Sequence, residues 1–263
     1  MGVTLSNQDG VLTAALTGDM DHHTARELRL AIDEAIERDK PGLLLLDFQG
    51  VDFMDSSGIG LVMGRYKVMQ QNGGEVEVTH VPKYISRVFK LSGLEQLGVM
   101  EKRRVPRKGT QRRKQTMKPV NEMDLKFLSR SSNESFARAA VAAFVAQIDP
   151  TIDELADIKT AVSEAVTNCI VHAYREDLGM IYINVKLFEN GTIAIRVRDK
   201  GCGIENVKKA MEPMFTTAGG ERAGLGFAVM ESFMNRLKVS SKVGKGTTVA
   251  MEKVIIRRGL QNG

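Results

Sequence analysis

The sequence predicts two α/β domains joined by a short basic linker. Strand-like and helix-like segments alternate before residue 99, whereas two helices followed by paired strands fill the chain after residue 121. The 263 residues are enough for two domains of ordinary size, and a hydrophobic content of 43% is enough for two packed cores. We therefore predict domains at residues 1–99 and 121–263, separated by a linker at residues 100–120.

The first domain reads as alternating strands and helices. Val11–Gly18 alternates like a half-buried strand, and "GLLLLDF" has the continuous apolar character of a strand buried on both faces. Between them, Thr24–Arg38 has the apolar period of an amphipathic helix, and Thr24 with Glu27 three positions later indicates a capping box that starts at Thr24. A helix after "DSSGIG", the strand "EVEVTHV" and the helix "KYISRVFKLSGL" complete a small α/β domain.

The linker carries the basic charge of the chain. Met100–Lys118 contains nine Lys or Arg residues and one acidic residue, which exceeds the net charge of +5 for the whole chain, so the rest is mildly acidic. A like-charged segment without apolar period is usually a solvated tether. Contact with nucleic acid or an acidic surface is the alternative, although no aromatic residue interleaves these charges to stack on bases.

The second domain begins with the helices "NESFARAAVAAFVAQI" and "TIDELADIKTAVSEAVTNCIVHAY". A hairpin turning at Asn190–Gly191, an apolar helix "FAVMESFMNRL" and a hairpin around "VGKG" follow. Helices followed by paired strands predict a two-layer α/β sandwich.

Polar residues form a stripe on the second of these helices. Glu164, Asn168 and His172 are four positions apart and share one face. The amide oxygen of Asn168 suits Mg²⁺, and Glu164 could accept a proton from an attacking hydroxyl. A plain solvated stripe is the alternative for this helix taken alone.

Glycine-rich boxes follow this helix. Asp199 precedes Gly201 and Gly203 after a strand, "GLGF" opens a helix that could hold phosphate at its N-terminus, and "GKGTT" comes last. The P-loop pattern is absent. In this order the four elements resemble the GHKL ATPases, which have the Bergerat nucleotide fold, and "SEAVTNCIVHAY", "PMFTT" and "ERAGLGFAVMESFMNRLKV" resemble the anti-sigma factor serine kinases of that class over about residues 121–254.

The resemblance implies roles for individual residues. Asp199 would accept a hydrogen bond from adenine, Asn168 would hold Mg²⁺ and Glu164 would be the general base. The remaining residues that it places at ATP are Gly201, Gly203, Arg222, Gly224, Gly226 and Thr248. Of these, Arg222 would bind the terminal phosphate and Thr248 would lie near the adenine pocket. Arg138 would lie on the face that binds partners, and the kinase half would form a homodimer.

The stretch "FMDSSGIG" places two serines where a buried strand turns into a helix. A serine there could cap the helix, act as a nucleophile or accept a phosphate, but no catalytic triad is evident around it. Together with "TGDMDHHTARELR" and "VFKLSGL", the stretch resembles the STAS-domain anti-sigma factor antagonists over about residues 3–99. That resemblance implies that Ser57 is phosphorylated and that Asp21 faces the kinase.

The function that these two resemblances imply is partner switching on a sporulation-type RNA polymerase sigma factor. The ATP- and Mg²⁺-dependent kinase half would capture the sigma factor and phosphorylate Ser57 of the antagonist half, within one chain or between chains. The alternative is an ATP-binding anti-sigma module that transfers no phosphate. With no long apolar run and no signal peptide, the expected location is the bacterial cytoplasm without membrane contact, where Cys169 and Cys202 would be reduced thiols.

Overall fold

The computed structural model describes residues 2–92, 118–175, 177–212 and 224–255, which form two sheets with their helices. The first sheet has the strand order β1-β2-β3-β4; β1 and β2 are antiparallel, and the other two pairings are parallel. Its strands are β1 Gly2–Gln8, β2 Val11–Met20, β3 Leu43–Met54 and β4 Glu75–Thr79. Its helices are α1 His22–Asp39, α2 Ser56–Gln71 and α3 Lys83–Ser92.

The start of α1 differs from the sequence prediction. Asp21, not Thr24, is the N-cap: its carboxylate accepts a hydrogen bond from the Thr24 backbone amide at 3.1 Å, and the Thr24 hydroxyl accepts one from the Asp21 backbone amide at 3.0 Å. The predicted position was therefore wrong by three residues. An aspartate at the N-cap satisfies helix donors at least as well as a threonine, and it lets the helix begin at His22.

The second sheet is entirely antiparallel, with the strand order β5-β6-β7-β9-β8. Its strands are β5 Pro119–Leu128, β6 Met180–Phe188, β7 Thr192–Arg198, β8 Arg236–Lys242 and β9 Gly246–Val254. The helices of this half are α4 Ser132–Val145, α5 Ile152–Asn168, α6 Val207–Ala210 and α7 Gly226–Phe233. A single 3₁₀ turn, Ala146–Ile148, follows α4, and α5 continues as a π-helical segment, Cys169–Tyr174.

Alternating burial along the strands explains the two layers of this half. Every second residue of β6 is buried, and these side chains pack with the apolar side of α5 in one core. The sequence analysis did not include β5, which is exposed over most of its length. It also extended the helix "FAVMESFMNRL" too far, because the helix ends at Phe233 and Arg236 already belongs to β8.

The two halves are in contact. Leu225, Val229 and Phe233 are buried in the same apolar cluster as the first sheet and its helices. Most of the predicted linker lies outside the described residues, although β5 already begins at Pro119. The boundaries at residues 99 and 121 stay a prediction. No helix in the described parts of the chain is long and apolar enough to cross a membrane.

Candidate functional site

A cavity of about 400 Å³ lies between α5, the loop after β7, the start of α7 and the start of α2. Residues that the sequence predicted for ATP and catalysis line it together: Glu164, Asn168, Asp199, Gly203, Gly224 and Gly226. His172 lines the cavity as well, and so do both serines of the first half, Ser56 and Ser57. The cavity is therefore built by both halves of the chain.

Asp199 is a buried hydrogen-bond acceptor at this cavity. One carboxylate oxygen accepts hydrogen bonds from the backbone amides of Gly201 at 2.9 Å and Thr247 at 3.1 Å. The other lies 3.8 Å from the Sγ atom of Cys169, a weak donor. Burial raises the pKa of Asp199 above its usual value, although the two backbone hydrogen bonds oppose this shift. The second oxygen can accept a hydrogen bond from an amino group of a ligand.

Two glycines of the box after β7 are required by close backbone contacts. A Cβ atom at Gly201 would lie 2.3 Å from the carbonyl oxygen of Ala173. Gly203 has a φ of +74°, and a Cβ atom there would lie 2.3 Å from the carbonyl oxygen of Lys242. Gly201 itself is not among the residues that line the cavity, so its role is to let the loop pack against the end of the π-helical segment.

The neighbour of the predicted Thr248 lies at the cavity. Thr247, rather than Thr248, lines the cavity and is buried. Side chains alternate along β9, so neighbouring threonines point to opposite faces of the sheet. A role of Thr248 near adenine stays a prediction. The predicted phosphate-binding Arg222 lies outside the described residues.

The side chains on α5 fit Mg²⁺ and a nucleotide. The amide nitrogen of Asn168 is buried and has no hydrogen-bond partner in the structure, and a Cβ atom at Gly226 would lie 2.8 Å from Glu164 Oε2. No group of three or more His, Cys, Asp or Glu residues in the described ranges could hold a metal ion by itself. The amide oxygen of Asn168 is of the kind that Mg²⁺ accepts beside phosphate and water oxygens, and its unpartnered amide nitrogen can donate a hydrogen bond to a phosphate.

The first half places a serine directly on Glu164. The Ser56 backbone amide donates to Glu164 Oε1 at 2.6 Å, and the Ser56 hydroxyl donates to Oε2 at 2.8 Å. Asp55 is the N-cap of α2 and accepts a hydrogen bond from the Ser57 backbone amide at 2.8 Å. The sequence analysis connected Glu164 with a hydroxyl, but it did not single out Ser56.

A buried polar cluster around Arg138 lies in the same interface. Arg138 donates to Asp19 at 2.8 Å and to Asp21 at 3.3 Å, and its guanidinium lies 3.9 Å from the centre of the Phe53 ring. The two residues predicted to face a partner, Arg138 and Asp21, thus meet within one chain. In the second half of the chain, Glu134 is 3.6 Å from Arg138.

Two carboxyl groups of this cluster are strongly buried. The hydroxyl of Ser163 lies 2.6 Å from Glu134 and 3.2 Å from Asp55. Burial raises the pKa of Asp55, and the negative charge of Asp21 adds to this shift. Burial also raises the pKa of Glu134 well above its usual value, and the negative charge of Asp55 is the next cause. The sequence analysis missed Glu134, Ser163 and Asp19. Only Glu134, four positions before Arg138 on the same helix, has a spacing that could have indicated it, because Ser163 and Asp19 lie far from Arg138 in the sequence.

Comparisons with known proteins agree with this arrangement. A STAS domain family model matches residues 3–103, and a histidine kinase-like ATPase domain model matches residues 129–253. The chain is thus a STAS domain joined to a histidine kinase-like ATPase domain, and such an ATPase domain implies ATP binding. Its second half is 62% identical over 138 residues to the anti-sigma F factor of Caldanaerobacter subterraneus, an alignment that covers 52% of this chain and 96% of that protein. The chain belongs to the anti-sigma F factor family through this half.

Two further similarities complete the comparison. The anti-sigma F factor of Thermoanaerobacter sp. strain X514 is 59% identical over 141 residues, covering 53% of this chain and 97% of that protein. The structure of the unphosphorylated anti-sigma factor antagonist SpoIIAA is 29% identical, covering 36% of this chain and 84% of that chain with a TM-score of 0.34.

Proposed function

We propose that this chain is a partner-switching regulator in which an ATP-dependent serine kinase phosphorylates an antagonist domain on the same polypeptide. The observation that carries the proposal is the cavity in which the serine pair and Glu164 meet the residues suited to ATP. The kinase half would capture a sporulation-type sigma factor, as the name of its relatives suggests. The antagonist half would compete for capture until it is phosphorylated.

Different residues around the cavity would bind the adenine, the phosphates and the Mg²⁺ ion of ATP. Asp199 accepts a hydrogen bond from the adenine amino group through its second carboxylate oxygen. The N-terminus of α7 at Gly224 and Gly226 would bind the phosphates, because its backbone amides and the helix dipole favour negative charge. Asn168 would hold Mg²⁺, which neutralises developing charge on the phosphates when bound. Arg222 would bind the terminal phosphate through its guanidinium fork.

Glu164 has the position of a general base for phosphoryl transfer. It would take the hydroxyl proton as the serine oxygen forms its bond to the terminal phosphorus and the bond to the bridging oxygen breaks, which leaves ADP. Ser57 is the proposed acceptor and lines the cavity. Ser56 is the alternative acceptor, because its hydroxyl already contacts Glu164.

Phosphorylation would weaken docking of the antagonist half. A phosphoserine adds a charge of about −1.5 to −2. In this interface it would lie close to Glu164 and Asp55, and like charges in a partly buried site repel strongly. The antagonist would then leave the kinase half free to hold the sigma factor. We further propose that transfer occurs within one chain or within a kinase homodimer, in the bacterial cytoplasm.

Labelled ATP tests the proposal directly. The full chain is incubated with Mg²⁺ and ATP labelled at the terminal phosphate, and the phosphorylated residue is mapped by mass spectrometry. We expect label on wild type and on Ser56→Ala, no label on Ser57→Ala, and a strong loss on Glu164→Gln, which keeps the hydrogen bond to Ser56 but cannot take the proton. Label that persists on Ser57→Ala and vanishes on Ser56→Ala would move the acceptor to Ser56.

The alternative is a binding module that uses ATP without phosphate transfer. It predicts nucleotide binding with no label on any variant. A role of the basic linker in binding DNA is a separate possibility, and it predicts that deletion of residues 100–118 abolishes a gel shift. These outcomes separate the three functions.

A further inference from the structure

A second point of contact joins the two halves on the same side of α5. Asp157 lies seven positions before Glu164, which places it about 10 Å away along the helix axis and almost in line with it. The guanidinium of Arg87, from α3 of the first half, contacts both carboxylate oxygens of Asp157, and its Nη1 lies 3.4 Å from Oδ2. Asp157 is buried, with its side chain 5% exposed. The acidic partner of this ion pair is therefore a buried carboxylate on α5.

The same cluster reaches α7. The Arg87 guanidinium lies 5.0 Å from the centre of the Phe233 ring, at the last residue of α7. Lys253 on β9 donates to Asp157 at 2.7 Å and to the carbonyl oxygen of Phe233 at 2.6 Å. Arg87 thus contacts the C-terminal end of the helix whose N-terminal end borders Glu164 through Gly226.

The apolar side of α7 belongs to the core of the first half. Leu225, Val229 and Phe233 are spaced by four positions and lie in one buried cluster with the first sheet and its helices. A helix packed in this way loses part of its apolar burial whenever the first half moves away. Its N-terminus, proposed above to meet the phosphates, would then be held less firmly.

We propose that Arg87, Asp157 and Phe233 form a second docking point that couples docking of the antagonist half to nucleotide binding through α7. The Ser56 contact and the neighbouring Arg138 cluster form the first docking point, and a second contact about 10 Å along α5 further restricts the orientation of the first half. By linkage, a nucleotide that orders α7 strengthens docking by the same factor by which docking strengthens nucleotide binding. The nucleotide part of this inference rests on the proposed function. Arg87 acts as a positioning residue.

Hydrogen exchange of the full chain tests the docking part. In Arg87→Gln we expect the amides of α7 to exchange about three- to fivefold faster, because the lost ion pair is half-exposed on the arginine side. Arg38→Gln is the matched control, since Arg38 is an exposed arginine of the first half paired with Asp39 away from α5. Exchange in the middle of α1 should stay unchanged in both variants. Rates independent of protein concentration identify the docked half as that of the same chain.

Calorimetry with ADP and Mg²⁺ tests the coupling part. Arg87→Gln should weaken nucleotide binding about two- to fivefold, and Arg38→Gln should leave it unchanged. Arg87→Lys, which keeps the charge but not the two-pronged contact, should fall between them. The double variant Arg87→Gln/Asp157→Asn should cost no more than the larger single change, because both remove the same interaction.

The outcomes are separable. Unchanged exchange of α7 in both Arg87 variants would overturn the second docking point. Faster exchange with unchanged nucleotide affinity would overturn the coupling. If wild type bound no nucleotide, the proposed function would fail instead, and the exchange experiment would still decide on docking.

Discussion

Removal of the Arg138 guanidinium is expected to separate the two halves. Arg138 is the cation of a cluster in which Asp19, Asp21 and Glu134 lie within 2.8, 3.3 and 3.6 Å of it. Its side chain is 2% exposed, and those of Asp21 and Glu134 are 6% and 0% exposed. In Arg138→Met the side chain keeps its approximate length, but these carboxylates lose their buried counter-charge.

The magnitude follows from burial. Loss of one partner from a buried ion pair costs about 3–5 kcal/mol, because the remaining charge is left in a poorly solvated site. Asp19 is 41% exposed, so Asp19→Asn should cost at most about 1 kcal/mol. The ratio between these two variants is the informative quantity, since both remove one side of the same contact.

Hydrogen exchange at the interface and urea unfolding of the full chain measure this cost. We expect Arg138→Met to speed exchange at the start of α2 by about a hundredfold or more, which corresponds to roughly 3 kcal/mol. Each sheet should keep its own protected core. The reasoning is refuted if Arg138→Met costs no more than Asp19→Asn, because burial would then contribute nothing to the contact.

Two further predictions concern the same region. Burial raises the pKa of Glu134 and Asp55 in the folded chain. The stability that these two carboxyl groups contribute is therefore present below about pH 4 and is lost as the pH rises through their raised pKa values. When the pH is lowered from about 8 to 5, the urea midpoint should rise less in Glu134→Gln than in wild type. Gly226→Ala should weaken nucleotide binding about tenfold or more in calorimetry, because the new methyl group would lie 2.8 Å from Glu164 Oε2. Gly64→Ala is the control and should have no effect, because no atom lies within 4 Å of the methyl group that it adds.

The sequence was most informative where a residue type is dictated by the backbone or by the ligand chemistry. Asp199 and the glycines after it, Asn168 and Glu164 all line or support one cavity, as their order along the chain indicated. Glu164 and Asn168 are four positions apart on α5 and therefore share one face of the helix, whatever packs around it. The turn at Asn190–Gly191 likewise indicated the antiparallel pairing of β6 with β7.

Other features depended on tertiary contacts that no local pattern contains. The capping residue of α1 was misplaced because Asp21 and Thr24 are both good N-cap residues, and only the fold decides between them. The sequence could not show that Thr247 rather than Thr248 lines the cavity, because the phase of β9 is set by its pairing with β7 and β8. The polar cluster of Glu134 and Ser163 was missed because its partner lies in the other half of the chain.

The bond between Ser56 and Glu164 joins residues 108 positions apart in a single polypeptide. If the docked half belongs to the same chain, as proposed, association of Ser56 with Glu164 is a unimolecular event that dilution does not reverse. A separate antagonist molecule that sought the same cavity would have to outcompete a neighbour whose local concentration is on the order of millimolar. Covalent linkage thus makes this switch insensitive to the relative amounts in which its two components would otherwise be synthesised.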